Sequence, residues 1–211
     1  MQKNIILSEQ QKTFLYQFKE KLATYAPITQ ATWNKVCSMI SFLQFSRNQT
    51  VVSYNEIARS MYFICKGAVR AFITDSKGNT YNKNLFLDGD FAGSKASLLQ
   101  QQPSLFTLEA LEDSILISID YQKFKQLVYS CDDLKHFYIS YLEHHWVIEK
   151  EQREISLVMD HATKRYTDLL QRHPTIDRRI AQHHIASHLG ITPTQLSRIR
   201  KELKMSENQH M

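Results

Sequence analysis

Seven short apolar or alternating runs crowd the stretch from Phe42 to Ile119: Phe42–Phe45, Thr50–Val52, Met61–Cys65, Ala68–Thr74, Asn84–Leu87, Phe106–Ala110 and Ile115–Ser118. Turn signals separate them, notably Lys66-Gly67, Asp75-Ser76-Lys77-Gly78-Asn79 and Asp88-Gly89-Asp90. Strands so short and closely spaced leave no room for alternating helices, so they pair antiparallel in a sandwich or barrel. Lys95–Leu99 is expected as a helical turn within that unit. Two helices precede it. Phe14, Leu15, Phe18 and Leu22 recur at helical spacing within Ser8–Tyr25, and Pro27 breaks the pattern. Thr29–Ile40 reads as a second, entered through a polar Thr-Gln-Ala-Thr stretch that can cap it. The fold class is α+β.

Asp120 caps a helix running to Tyr129. After Cys131-Asp132-Asp133 neither glycine nor proline occurs until Pro174. Alternate steps of four and three give Leu134, Tyr138, Tyr141, His145, Ile148, Gln152, Ile155 and Met159, a stripe with the coiled-coil period of about 3.5. A helix of about 25 residues is roughly 37 Å long, more than one small sheet covers, so self-pairing into a homodimer is expected. An intramolecular core helix explains the first half equally well. His145 and Gln152 would set the register of such a seam. Leu157, Val158, Ala162, Tyr166, Leu169 and Leu170 form another helical face before Pro174.

With 43% hydrophobic and 11% aromatic residues the chain buries a real core. No run approaches the ~18 apolar residues that span a bilayer, and Met1–Leu7 is too short for a secretory signal. No membrane association and a cytoplasmic location are expected. Cys37, Cys65 and Cys131 are widely spaced, without a C-x-x-C pair, which argues against disulfides and metal clusters. The net charge of +5 is uneven: Met1–Asp160 carries 17 Lys+Arg against 17 Asp+Glu, and His161–Met211 carries 9 against 4. Five histidines in 161–188 add charge at lower pH. A basic C-terminal block on a neutral body suits a polyanion partner, through counterion release from phosphates.

That block contains the strongest motif. With Gln182 as the first position of a 20-residue helix-turn-helix, Ile185, Leu189, Ile191, Leu196 and Ile199 fall where two crossed helices bury their seam. Ala186 sits where the helices approach closely. Gly190 ends the first helix with positive φ, free of steric cost only for glycine. Thr192 is an N-cap, Pro193 fits the first helical position, and Gln195 completes a Thr-x-x-Gln capping box. The second helix buries Leu196, Ile199 and Leu203 and presents Thr194, Gln195, Ser197, Arg198, Arg200 and Lys201. Thr192, Pro193, Thr194, Gln195, Ser197, Arg198 and Lys201 are the candidate contacts to double-stranded DNA. Arg198 can fork onto guanine, and Thr192 and the helix N-terminus can hold phosphate. Arg200 and Lys201 are expected at the DNA backbone or in solvent.

With these features the chain resembles the Crp/Fnr family of bacterial transcription regulators over nearly its whole length. Tyr62–Arg70 is similar to the family's glycine-centred hairpin, and Gly89-Asp90-Phe91-Ala92-Gly93 to the entry of its phosphate-binding cassette. His184–Lys201 looks most like the Crp-like regulators of the Bacteroidetes. The resemblance implies an antiparallel β-roll of the cyclic-nucleotide-binding kind with its N-terminal helices (1–130), a long dimerisation helix (131–159) and a helix-turn-helix DNA-binding domain (160–211). It implies RNA polymerase as a partner and a small-molecule effector of unknown identity. The departures are specific. Where cyclic-nucleotide binders carry Glu after the cassette's second glycine, Ser94 stands. Where Arg-Ser/Thr-Ala grips the phosphate, the run is Ser104-Leu105-Phe106. An anion buried without its arginine is costly, so cyclic AMP or GMP is not expected here. Arg70, Gly93, Ser94, Lys95 and Ser104 remain the candidate effector pocket. The family's Glu-x-x-Ser/Gly-Arg reads Thr194-Gln195-Leu196-Ser197-Arg198, which implies a related but different operator. Pro174 to Gln182 is too short for the usual β-hairpin wing, which implies a trimmed DNA-binding unit.

His184 and His188 have a metal-pair spacing but lack the glutamate of H-E-x-x-H, and they read as surface histidines near DNA. No catalytic motif, metal site or cofactor is expected. A protein-docking adaptor and a metal-dependent cupin-like enzyme are the other readings. A steep salt slope on duplex DNA separates the regulator from the first, and metal content separates it from the second.

Overall fold

The computed structural model describes residues 7–209. Helix α1 (Glu9–Ala23) opens with a capping box in which the Ser8 hydroxyl accepts from the Gln11 amide and the Gln11 side chain accepts from the Ser8 amide. Helix α2 (Gln30–Cys37) starts at Thr29. It ends earlier than its sequence pattern suggests, because Ile40 already begins β1 (Ile40–Phe45).

The remaining strands are β2 (Thr50–Val52), β3 (Ser60–Lys66), β4 (Val69–Thr74), β5 (Thr80–Phe86), β6 (Phe91–Ala92), β7 (Thr107–Ala110) and β8 (Ser114–Asp120). The two-residue β6 is too short for a period-2 signal and was not legible. The strands form two antiparallel sheets, ordered β1-β8-β3-β6 and β2-β7-β4-β5. Gly67, at the β3–β4 turn, has φ +120°, and a Cβ there would fall 2.1 Å from Ser114 Oγ, so no other residue fits without a shift.

Helix α3 (Lys95–Gln100) lies inside the roll, and α4 (Tyr121–Ser130) begins at its Asp120 cap. Phe18, Leu22, Phe63, Leu116 and Ile117 are essentially inaccessible, each contributing about 1.5–3 kcal/mol of burial. Phe18 and Phe63 meet with ring centres 5.1 Å apart, and Phe63 and Phe91 with 5.5 Å.

The long stretch after Cys131 is helical but not uniform. It comprises α5 (Asp132–Leu142), a π-helical turn over Glu143–Ile148, and α6 (Glu149–Met159). The expected seam divides at that turn. Leu134 and Tyr141 are buried in the core of the roll with Phe137, and Tyr138 packs against it. His145 turns toward α1, its Nε2 2.6 Å from the Tyr25 hydroxyl. These four positions therefore serve the chain's own fold, against the expectation of a seam running through them. The roll has the nearer claim on their apolar surface. Ile148, Gln152, Ile155 and Met159 stay exposed.

Helices α7 (Ala162–Arg172), α8 (Ile176–Arg179), α9 (Gln182–Leu189) and α10 (Pro193–Gln209) form the C-terminal bundle. Its core joins Tyr166, Leu169, Ile176, Ile180, Ile185, Ala186, Leu189, Leu196 and Ile199 to Ala68, Leu85, Leu87 and Leu111 from the roll. The bundle is thus docked on the β2-β7-β4-β5 sheet side. Arg179 clasps Asp88 and Glu112 and donates to the Gly67 carbonyl at 2.9 Å. Helix α9 lies on β5, the outer strand of its sheet. The Asn82 amide donates to Ser187 Oγ at 2.9 Å, and Ser187 Oγ donates to the Thr80 carbonyl at 3.0 Å. Arg153 of α6 reaches the Lys83 carbonyl at 2.5 Å.

Candidate nucleic-acid interface

Helices α9 and α10 make the expected crossed pair. Gly190 ends α9 at φ +69°. The Gln195 amide donates to Thr192 Oγ1 at 3.1 Å, which fixes the start of α10. Ile185, Ala186, Leu189, Leu196 and Ile199 are buried, and Ile191 and Leu203 pack at the margin. Thr192, Pro193, Thr194, Gln195, Ser197, Arg198 and Lys201 are all exposed and lie along the first turns of α10. The sequence places that face correctly because one buried stripe on a capped helix fixes what lies opposite it. Helix α10 continues to Gln209, beyond the apolar stripe that ends at Leu203.

Arg200 does not belong to this face. Its guanidinium donates to Asp177 Oδ1 at 2.6 Å and to the Tyr166 hydroxyl at 3.1 Å, and Tyr166 donates in turn to Asp177. This triad ties α10 to α7 and α8. No spacing in the sequence announces it, since the three residues come from three separate helices. Between Pro174 and Gln182 stands α8 and, among the described residues, no strand, in keeping with the missing wing.

His184 and His188 are not surface histidines beside a DNA groove; they face β5. His188 donates from Nδ1 to the Asn82 carbonyl at 3.1 Å, and Asn82 Nδ2 donates to the His184 carbonyl at 2.9 Å. Burial pulls the His188 imidazole down to about 3. Burial, then the nearby Arg70 charge, pulls His184 down to about 4. The missed signal is the polar Asn82 within a strand, fully buried, whose amide needs partners from another element.

Of the candidate effector residues, Gly93, Ser94 and Ser104 come together. Ser94 and Ser104 are buried, and the Ser104 hydroxyl lies 2.9 Å from Ser94 Oγ. The two positions that grip ribose and phosphate in cyclic-nucleotide binders here bond to each other. Lys95 turns toward the long helix, its ammonium 5.1 Å from the Tyr141 ring centre, and desolvation brings it down to about 8. Arg70 is no part of this pocket. Val69 and Ala71 point into the roll, so Arg70 points out. It donates to Glu109 at 2.8 Å, stacks 3.9 Å from the Phe72 ring centre, and faces His184 across the docked bundle.

The π-turn gathers a second polar group. His145 Nδ1 lies 2.6 Å from one Glu149 oxygen, and His144 Nε2 lies 3.3 Å from the other. The hydrogen bond from His145 holds the Glu149 carboxyl below its ordinary range.

Among the described residues no helix is long and apolar enough to cross a membrane. Residues 42–130 match the cyclic nucleotide-binding domain family. The chain is 24% identical over 179 residues to the cAMP-activated global transcriptional regulator CRP of Pasteurella multocida, an alignment covering 80% of this chain and 83% of that one. Its fold is similar to that of FixK2 from Bradyrhizobium japonicum, with TM-score 0.65 at 18% identity, covering 80% of this chain and 86% of that one. It is also similar to the c-di-GMP responsive global regulator CLP of Xanthomonas campestris, with TM-score 0.61 at 15% identity, over 85% and 93% of the two chains. Residues 42–130 thus match the cyclic nucleotide-binding domain, and the roll, the long helix and the helical pair follow one another in an order similar to that of the Crp/Fnr regulators.

Proposed function

We propose that the protein is a DNA-binding transcription regulator that acts as a homodimer on a pseudo-palindromic operator. The observation that carries this reading is the exposed polar and cationic edge of α10, held rigid by a buried seam and a Thr192 cap. Arg198 reads guanine in the major groove, and Gln195 pairs with adenine or holds a phosphate. Thr192 and the first turn of α10 take a backbone phosphate. Lys201 adds charge without sequence preference.

A second copy is the occupant that fits the exposed apolar residues of the π-turn and α6. Ile148, Ile155, Val158 and Met159 are each between 49% and 83% exposed on a helix that the roll no longer covers. Pairing there sets two recognition helices about 34 Å apart, one turn of duplex. RNA polymerase is the partner that the resemblance to Crp/Fnr regulators suggests for transcriptional output.

The effector of the roll is not a cyclic nucleotide held by Ser94 and Ser104, because neither supplies charge for a phosphate and each already serves as the other's hydrogen-bond partner. Effector binding in the roll shifts the population between the docked bundle described above and a released geometry in which the recognition helices are spaced for DNA.

Selection of bound sequences from random duplex DNA tests the reading. The expected outcome is a two-fold symmetric site with half-site centres about 10 base pairs apart and an affinity that falls steeply with salt. Binding without salt dependence or sequence preference overturns it. Calorimetric titration with cyclic AMP is expected to give no heat of specific binding.

A further inference from the structure

The geometry points to a divalent transition-metal site, of the zinc class, formed by His144, His145 and Glu149 at the π-turn of the long helix. One ligand atom from each residue lies within 4.8 Å of the other two. This convergence depends on the π-turn. The Glu149 amide donates to the His144 carbonyl, a bond five residues long. In an ordinary α-helix residues five apart stand roughly 140° from each other, so His144 could not reach Glu149. The wider turn brings 144 above 149, while 145 and 149 remain neighbours at the usual spacing of four.

The donor set is chemically suited. Two imidazole nitrogens and one carboxylate oxygen are the ligands of open, three-protein-ligand zinc sites, with the fourth position left to water or another group. Tetrahedral coordination at about 2.0–2.1 Å requires donors about 3.3 Å apart. His144 Nε2 stands 3.3 Å from one Glu149 oxygen and His145 Nδ1 2.6 Å from the other. The three ligand atoms already lie within 4.8 Å of one another, and side-chain rotation brings both nitrogens onto a metal held by a single carboxylate oxygen.

An outer partner is in place as well. With Nδ1 of His145 on the metal, its Nε2–H is free to donate to the Tyr25 hydroxyl, now 2.6 Å away. A ligating histidine held through its other nitrogen in this way is oriented and made more basic. Tyr25 is therefore a positioning residue and not a ligand. It follows α1 and packs against Phe137 and Tyr141, so the metal would pin the π-turn to the body of the roll.

The test uses untagged full-length protein dialysed against Zn²⁺, with Co²⁺ as the spectroscopic substitute. One Zn²⁺ per chain is expected, and Co²⁺ is expected to give the intense visible bands of a low-symmetry site with nitrogen and oxygen ligands. His144→Ala and Glu149→Gln should each weaken binding about 100-fold or more. His183→Ala, which alters a histidine outside the cluster, should leave it unchanged. Tyr25→Phe should weaken binding about tenfold while preserving the Co²⁺ spectrum. Circular dichroism of each variant confirms that the fold is retained. Failure to bind either metal, or stoichiometric binding that survives both ligand substitutions, overturns the site. An unchanged affinity in Tyr25→Phe overturns the role given to Tyr25. None of these measurements uses DNA, so the outcome is independent of the proposed regulatory function.

Discussion

Arg198 and Arg200 are two positions apart on α10, a rotation of about 200° around the helix, and that rotation separates their roles. Arg198 projects into solvent, whereas Arg200 is held by Asp177 and Tyr166. Arg198→Ala is expected to change unfolding free energy by less than about 0.5 kcal/mol and to lose about 1–3 kcal/mol of discrimination at one base position. Lys201→Ala should weaken all sequences alike and lower the salt slope by about 1. Identical behaviour of the two in binding selections defeats the assignment. Arg200→Ala should instead cost about 2 kcal/mol of stability in urea titrations, because charge-assisted hydrogen bonds are lost and Asp177 is left with Tyr166 as its donor. Gly190→Ala, at φ +69° with open space around it, should cost about 1–2 kcal/mol from backbone strain alone.

At the scale of elements, what was legible in the sequence followed from periodicity and caps. Seven of the eight described strands, the α2 and α4 caps and the α9–turn–α10 unit each rest on residues within one short window. The π-turn did not show, because the stripe from Leu134 to Met159 steps evenly through it. What divides that stripe is a competition for apolar surface between the roll and solvent. The docking of α9 on β5 was equally hidden, since His184 and His188 read as helix surface until β5 is placed against them. That docking has a pH signature. Both imidazoles titrate well below 6.5 when docked, so below that value the released bundle binds more protons. Docking is therefore full above about pH 7 and is lost as pH falls from 6.5 toward 4, the sign set by proton linkage. Arg70, Arg153 and His183 face the pair and add to the penalty on the charged forms. The protection factors of the β5 amides should fall between pH 7 and pH 5, so that their exchange slows by less than the intrinsic rate does. Protection factors that stay constant over that range refute the linkage.

For the molecule as a whole, the long helix divides into a part buried by the roll and an exposed part proposed to pair with a second copy. Ile155→Glu and Val158→Glu should yield a folded monomer in sedimentation velocity, with the roll's unfolding midpoint unaltered. Leu134→Ala should cost about 3 kcal/mol and leave the oligomeric state intact. A dimer that persists in both glutamate variants places the interface elsewhere. The covering of β5 by α9 carries a further consequence. Asn82 and Thr80 present main-chain groups at the open margin of their sheet, and Ser187 and His188 occupy them. Once the bundle swings away, that margin becomes a ribbon of unanswered donors and acceptors, able to recruit a strand from any neighbouring chain. The released conformer would then be the sticky one, and its lifetime would need to stay short or be shielded by occupancy on the operator.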